Sequence, residues 1–88
     1  MSAELKRICG FLKAGEPELR CAAARILVAL EANDDDVAAA LAKAGADDNG
    51  MVRQYAVDGL KALAKPKHVD LILPLLDGPM RDKVLPLV

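Results

Sequence analysis

The sequence predicts an all-α protein, a right-handed α-solenoid of about three antiparallel helix pairs. Three observations carry this reading. The chain has 88 residues, 53% of them hydrophobic, yet only 2% are aromatic. The apolar side chains are mostly Ala, Leu and Val, and small or unbranched residues favour closely packed helices over a sheet. Apolar residues then recur at three- and four-residue spacing through most of the chain. Finally, "EPELRCAAARILVAL" at 16–30 is written again as "NGMVRQYAVDGLKAL" at 49–63. Adding 33 to the numbering superimposes Arg20 on Arg53, Ala23 on Ala56, Leu27 on Leu60, Ala29 on Ala62, Leu30 on Leu63 and Leu19 on Val52.

The first helix follows from Leu5, Ile8, Cys9 and Leu12, with Ser2 as N-cap and Glu4 in the first turn, and Gly15 interrupts the pattern. Pro17 suits the opening position of the second helix, where its missing N–H would be unpaired anyway. The stripe Leu19, Ala23, Ile26, Leu27 and Leu30 predicts that helix's core face. "EANDDD" breaks the pattern, and Val37, Ala40, Leu41 and Ala44 form a third stripe that Gly45 ends. "ADDNG" is turn chemistry, and Val52, Ala56, Leu60 and Leu63 form the fourth. Pro66 restarts the chain at "HVDLILPLL", where Pro74 kinks or shortens the fifth helix.

A capping or acidic residue, a breaker, then an apolar residue and Arg occur three times, in "EPELR", "NGMVR" and "DGPMR". The unit is therefore helix A, tight turn, helix B, with repeats at about 2–32, 33–65 and 66–88 in one domain over 1–88. A helical pair leaves an apolar face bare until a neighbour stacks on it, which is why such units come in arrays of about three. The last copy is compromised, because Pro86 biases Leu85 away from helix and predicts a final helix of about two turns. "VLPLV" is apolar to its end, where a terminal repeat carries a polar cap. The expectation is that 1–88 is an N-terminal piece of a longer array, or that this end self-associates.

These residues resemble HEAT repeats, in the short form also seen in phycobilisome-lyase-type repeat proteins. The resemblance rests on the acidic-or-Asn turn, the apolar-Arg pair, and the Ala and two Leu positions that follow. It spans nearly the whole chain, although the spacings are shorter than the ~40–47 residues of HEAT units. Tetratricopeptide and ankyrin arrays are excluded by the lack of Trp and Tyr landmarks and of a Thr-Pro-Leu-His turn. The resemblance implies that Arg20, Arg53 and Arg81 form an internal ladder with acidic residues of neighbouring repeats, Asp48 and Asp77 among them. It also implies that the B helices line a concave contact surface.

Chemistry-bearing residues are scarce. The net charge is −1 with 28% charged residues of both signs interspersed, which gives no electrostatic footprint for nucleic acid or a membrane surface. No apolar run reaches the ~20 residues of a membrane span or makes a signal peptide, and the expected setting is cytoplasmic. His68 is the only histidine, Ser2 the only serine, and threonine is absent. These exclude a His-based metal site or triad and disfavour an enzyme. His68 is read as a residue near a helix start. Neither "NDDD" nor "ADDNG" supplies both the Gly and the Glu at the positions a calcium loop needs, and the six glycines are too dispersed for a phosphate loop. Cys9 and Cys21 match no zinc or redox spacing and read as inert, partly buried thiols. No cofactor and no metal are expected.

What remains is the flank of each B helix opposite its stripe. At 100° per residue, Cys21, Arg25 and Val28 fall there in the first copy, and Gln54, Asp58, Lys61 and Lys65 in the second. Arg25, Gln54, Asp58, Lys61 and Lys65 are the candidate partner-binding residues, and Tyr55, at the stripe's edge, is read as inter-repeat packing. The expected function is a non-catalytic protein–protein interaction or scaffold module. A DNA-binding module using Lys61, Lys65, Lys67 and His68 is disfavoured by the charge and the scarcity of stacking aromatics. A scaffold portion of an enzyme or lyase rests on family analogy alone.

Overall fold

In the computed structural model, which describes residues 2–87, six helices are joined by tight turns, and no strand occurs among the described residues. Four helices are long: α1 Ala3–Phe11, α2 Pro17–Ala29, α3 Asp35–Ala44 and α4 Gly50–Leu63. Their ends are written locally. The Ser2 hydroxyl accepts the Leu5 N–H at the head of α1, and Pro17 opens α2. Asp35 and Asp36 sit in the first turn of α3, where the helix dipole favours negative charge. The Asn49 side chain accepts the N–H groups of both Met51 and Val52, satisfying two donors that an uncapped α4 would leave free. Helix α4 stops at Leu63, just before an X-Pro pair whose first residue is pushed out of helical geometry.

The chain after α4 forms only short helical pieces. Pro66–His68 forms one 3₁₀ turn, α5 spans only Val69–Ile72, and Leu73–Asp77 continues as 3₁₀. Pro74 lacks the N–H an α-helix needs there, so the predicted fifth helix is cut short. Helix α6 is only Arg81–Val84, followed by a 3₁₀ turn at Leu85–Leu87 that contains Pro86. The third copy therefore supplies two short helical pieces where the sequence predicted a full pair.

Helix α2 packs on α1 and, most extensively, on α4; α3 packs on α4, α1 and α5. The Cα trace measures 31 × 26 × 17 Å, and its thin dimension suits two helical layers packed at the usual 8–10 Å. The α2–α4 pair runs parallel. Arg25 lies over Tyr55 and Val28 lies against Gly59, so residue numbers rise together along both helices. Gly59 makes the approach close, since a Cβ there would stand 3.3 Å from the Leu41 methyls and 3.5 Å from Val28.

The core sits between the layers. Leu27, Leu41, Leu60, Val37 and Val52 are at most 1% exposed, with Ala23, Ala24 and Ala56 filling the narrow space between helices. Burying each such Leu or Val contributes about 1.5–3 kcal/mol. One expectation fails here. Leu19, Ile26 and Leu30, predicted as core, are 42%, 45% and 56% exposed. No helix lies against that flank of α2, so its core arc is rotated onto Ala23, Ala24 and Leu27. In α4 the equivalent positions Val52 and Gly59 are buried and Leu63 packs on the core, because α2 covers that flank.

Candidate interaction groove between α2 and α4

Cys21 and Val28, predicted as free surface, instead line the α2–α4 seam and are half-buried. Turning roughly 60–100° further around α2 reaches Glu18, Ala22, Arg25 and Ala29, which are exposed. The matching arc of α4 carries Met51, Tyr55 and Asp58. Two open clefts of about 340 and 330 Å³ run along this face, one lined by Pro17, Glu18, Cys21, Met51 and others, the next by Ala24, Val28, Ala29 and Asp58. Arg25 and Tyr55 line both.

The Arg25 guanidinium stands 5.7 Å from the centre of the Tyr55 ring. An exposed cation–π contact of this kind contributes about 0.5–1 kcal/mol. It sets the positive charge beside the face of the ring. Gln54 donates to Asp58 Oδ1 at 2.9 Å, one turn away on α4, and so orients that carboxylate. Cation, ring, carboxylate and the exposed thioether of Met51 therefore share one groove. Met51 and Tyr55 were missing from the predicted site. The repeat register was the available signal, since it sets Tyr55 level with Ala22, one turn below Arg25.

Lys61 and Lys65, expected beside Arg25, lie elsewhere. They rim a separate cleft of about 540 Å³ lined by Leu60, Ala64, Val69, Ile72 and Leu87. Of the basic residues a DNA-binding module would use, His68 is buried at 2% exposure and Lys67 pairs with Asp35 at 3.1 Å. Lys6, Lys13 and Lys43 line clefts between α1 and α3, over the buried Cys9.

The arginines do not behave alike. Arg20 and Arg53 are each the fourth residue of their helix, and each donates from one terminal nitrogen to the carbonyl six residues upstream, Ala14 and Asp47 respectively. Arg20 also meets the Asp47 carboxylate, with Nε 2.9 Å from Oδ2 at an angle too bent for a hydrogen bond, and its second terminal nitrogen donating to Oδ1 at 3.1 Å. Asp48, the expected counterpart, is 3.8 Å away and its side chain is 99% exposed. Burial pushes the Asp47 carboxyl up, but the Asn49 N–H and the Arg20 guanidinium outweigh it and hold it below the usual range. Arg53 has no such partner, and its Nε is buried without a hydrogen bond among the described residues. Arg81 opens α6 instead of sitting on its fourth position, and it is exposed, as is Asp77. Val84 takes the fourth position and is fully buried.

His68 fastens the Pro66–Ile72 segment to the start of α3. Its Nδ1 accepts the Lys65 N–H at 3.0 Å, so Nε2 carries the proton and donates to Asp35 Oδ1 at 2.8 Å. The hydrogen bonds from His68 and Lys67 hold the Asp35 carboxyl below the usual range.

Burial, with Asp36 and Asp34 nearby, raises the Cys9 thiol; burial, opposed by Arg20, also raises Cys21. Both are free, and neither has the depressed pKa of a reactive thiol. Among the described residues, no group of three or more His, Cys, Asp or Glu side chains is arranged to hold a metal ion, and no helix is long and apolar enough to cross a membrane. Comparison with family models, with curated proteins and with solved structures finds no match.

Proposed function

We propose that this protein is a non-catalytic protein-interaction or scaffold module of the HEAT-like α-solenoid kind, and that it engages a protein partner through the α2–α4 groove. The stacking of α2 on α4 and of α3 on α1 and α5, together with the shared geometry of Arg20 and Arg53, supports the solenoid reading.

The observation that carries the functional reading is Arg25 held over Tyr55. Tyr and Arg are the side chains that most often anchor protein interfaces, because each offers a large apolar body with a polar end. Here they stand together on a seam of rigid helices, the Arg25 side chain exposed and the Tyr55 ring half-buried against the core, as its reading as a packing residue expected in part. The adjoining Asp58 and Met51 supply a polar rim and an adaptable apolar contact. A partner presenting an apolar side chain beside a carboxylate would meet Tyr55 and Arg25 in turn.

The test uses the protein as bait. Arg25→Glu combined with Asp58→Lys is expected to abolish partner capture with far-UV circular dichroism unchanged, whereas Lys13→Glu, on the α1–α3 side, leaves capture intact. Undiminished capture by the groove variant would move the contact surface elsewhere. A salt-sensitive shift of the wild-type protein with duplex DNA would favour the nucleic-acid alternative instead.

A further inference from the structure

We propose that the exposed flank of α2 is one half of a head-to-tail self-association surface, and that the cleft beside the C-terminal half of α4 is the other half. Copies of this chain would then continue the stacking that α2 and α4 begin.

Three relations point to a second copy as the occupant. The first is register. In the α2–α4 seam, Val28 lies against Gly59. Adding 33 to one partner and subtracting 33 from the other turns that pair into Lys61 against Ile26 of the next copy. One turn further, Lys65 meets Leu30 and Glu31.

The second relation is shape and polarity. Helix α4 has 14 residues but α6 only four, and the stretch from Leu60 to Lys65, at and just past the end of α4, borders an open cleft. The resulting cleft of about 540 Å³ has an apolar floor of Leu60, Ala64, Val69, Ile72 and Leu87. Ile26 and Leu30, at 45% and 56% exposure, are the apolar knobs that lack a socket. They stand where α4 places Gly59 and Leu63, the positions with which it covers the preceding helix.

The third relation is charge. Lys61 and Lys65 rim the cleft, both exposed, and neither makes an ion pair among the described residues. Glu31 follows Leu30 directly and is exposed, held at the end of α2 by a positive φ of 52°. Lys65 and Glu31 are thus brought together by the same shift that seats Leu30. The two halves differ from one another, so the association is heterologous and grows by addition instead of closing as a two-fold dimer.

Sedimentation of the full chain over a wide concentration range tests this. The wild type is expected to gain mass progressively past the dimer. Leu30→Glu is expected to be monomeric, with helicity retained because the site is solvent-facing. Lys65→Glu weakens association roughly tenfold, and Glu31→Lys in the same chain restores it, as a direct pair requires. Leu30→Glu mixed with Lys61→Glu/Lys65→Glu should give a one-to-one dimer and nothing larger, since each variant keeps the half the other lacks. A wild type that stays monomeric at millimolar concentration overturns the proposal, as does a dimer that never grows. These variants leave Arg25, Tyr55 and Asp58 untouched, so failure here and failure of the groove are separately visible.

Discussion

Arg20 on α2 and Asp47 in the turn before α4 stand 2.9 Å apart, and this ion pair ties one helical pair to the next. Both side chains are only 13% exposed. Asp47 also accepts the Asn49 N–H, and its own carbonyl receives Arg53. One residue thus fastens the turn that starts α4 and the seam between α2 and α4.

Asp47→Asn keeps the turn's acceptor but removes the charge opposite Arg20. A hydrogen-bonded, partly buried charged pair of this kind contributes about 1.5–3 kcal/mol. Thermal unfolding is therefore expected to move down by roughly 6–24 °C for a domain of this size. Because the folded Asp47 carboxyl is held below its ordinary value, that stability is fully present above the ordinary carboxylate range. It is lost as pH falls through the lowered folded value. Wild type and Asp47→Asn should accordingly differ most near neutrality and converge in strong acid, and a constant gap at all pH values would contradict the assignment.

His68 and Asp35 are hydrogen-bonded to one another, yet their substitutions should differ in cost. His68→Leu leaves the Lys65 N–H without its acceptor inside the molecule, which costs about 1–3 kcal/mol. The Asp35 side chain is 69% exposed, and Asp35→Ala should cost far less than His68→Leu, because solvent screens an exposed pair. Chemical denaturation of the two variants separates them, and equal losses would mean that the ion pair, not the buried acceptor, fastens the Pro66–Ile72 segment.

Gly59 sits where α2, α3 and α4 meet closely. Substitution by Val forces its side chain into Leu41 and Val28, which already lie 3.3–3.5 Å from a Cβ. The expected loss is about 1–3 kcal/mol from overpacking, against a helix-propensity gain of only a few tenths. A stabilised Gly59→Val would show that the seam is looser than described.

Glu31 is the only non-glycine described residue with positive φ. Glu31→Gly relieves that backbone and should stabilise the monomer by up to about 1 kcal/mol. The same change removes the carboxylate facing Lys65, so it should weaken self-association while raising the unfolding midpoint, two readouts of opposite sign.

Much of this was legible in the sequence, and the failures share a cause. Helix spacing located α1 to α4, and the 33-residue register identified Arg20 and Arg53 as equivalent, because capping and turn chemistry are local. Periodicity alone does not tell which neighbour covers an arc. Leu19, Ile26 and Leu30 read as core because they lie on the apolar stripe of α2, as Val52 and Leu63 do on α4, yet α2 has no helix on that flank. Arg81 matched by motif, but Pro74, Pro79 and Pro86 reshape the surrounding chain until Val84 stands in the arginine's place. Arg25 and Tyr55 meet across α2 and α4, and that pairing becomes visible only once the parallel packing of the two helices is known.

Tyr55 is the only tyrosine and the chain has no tryptophan, so its emission reports directly on the groove. Titrating the captured partner against wild type and Arg25→Glu, followed by Tyr55 fluorescence, tests the central claim most directly. The expected result is a saturable change in emission for wild type and at least a roughly tenfold weaker affinity for Arg25→Glu, equivalent to about 1.4 kcal/mol. Partner binding that leaves Tyr55 emission unchanged, with equal affinity for both proteins, would contradict it.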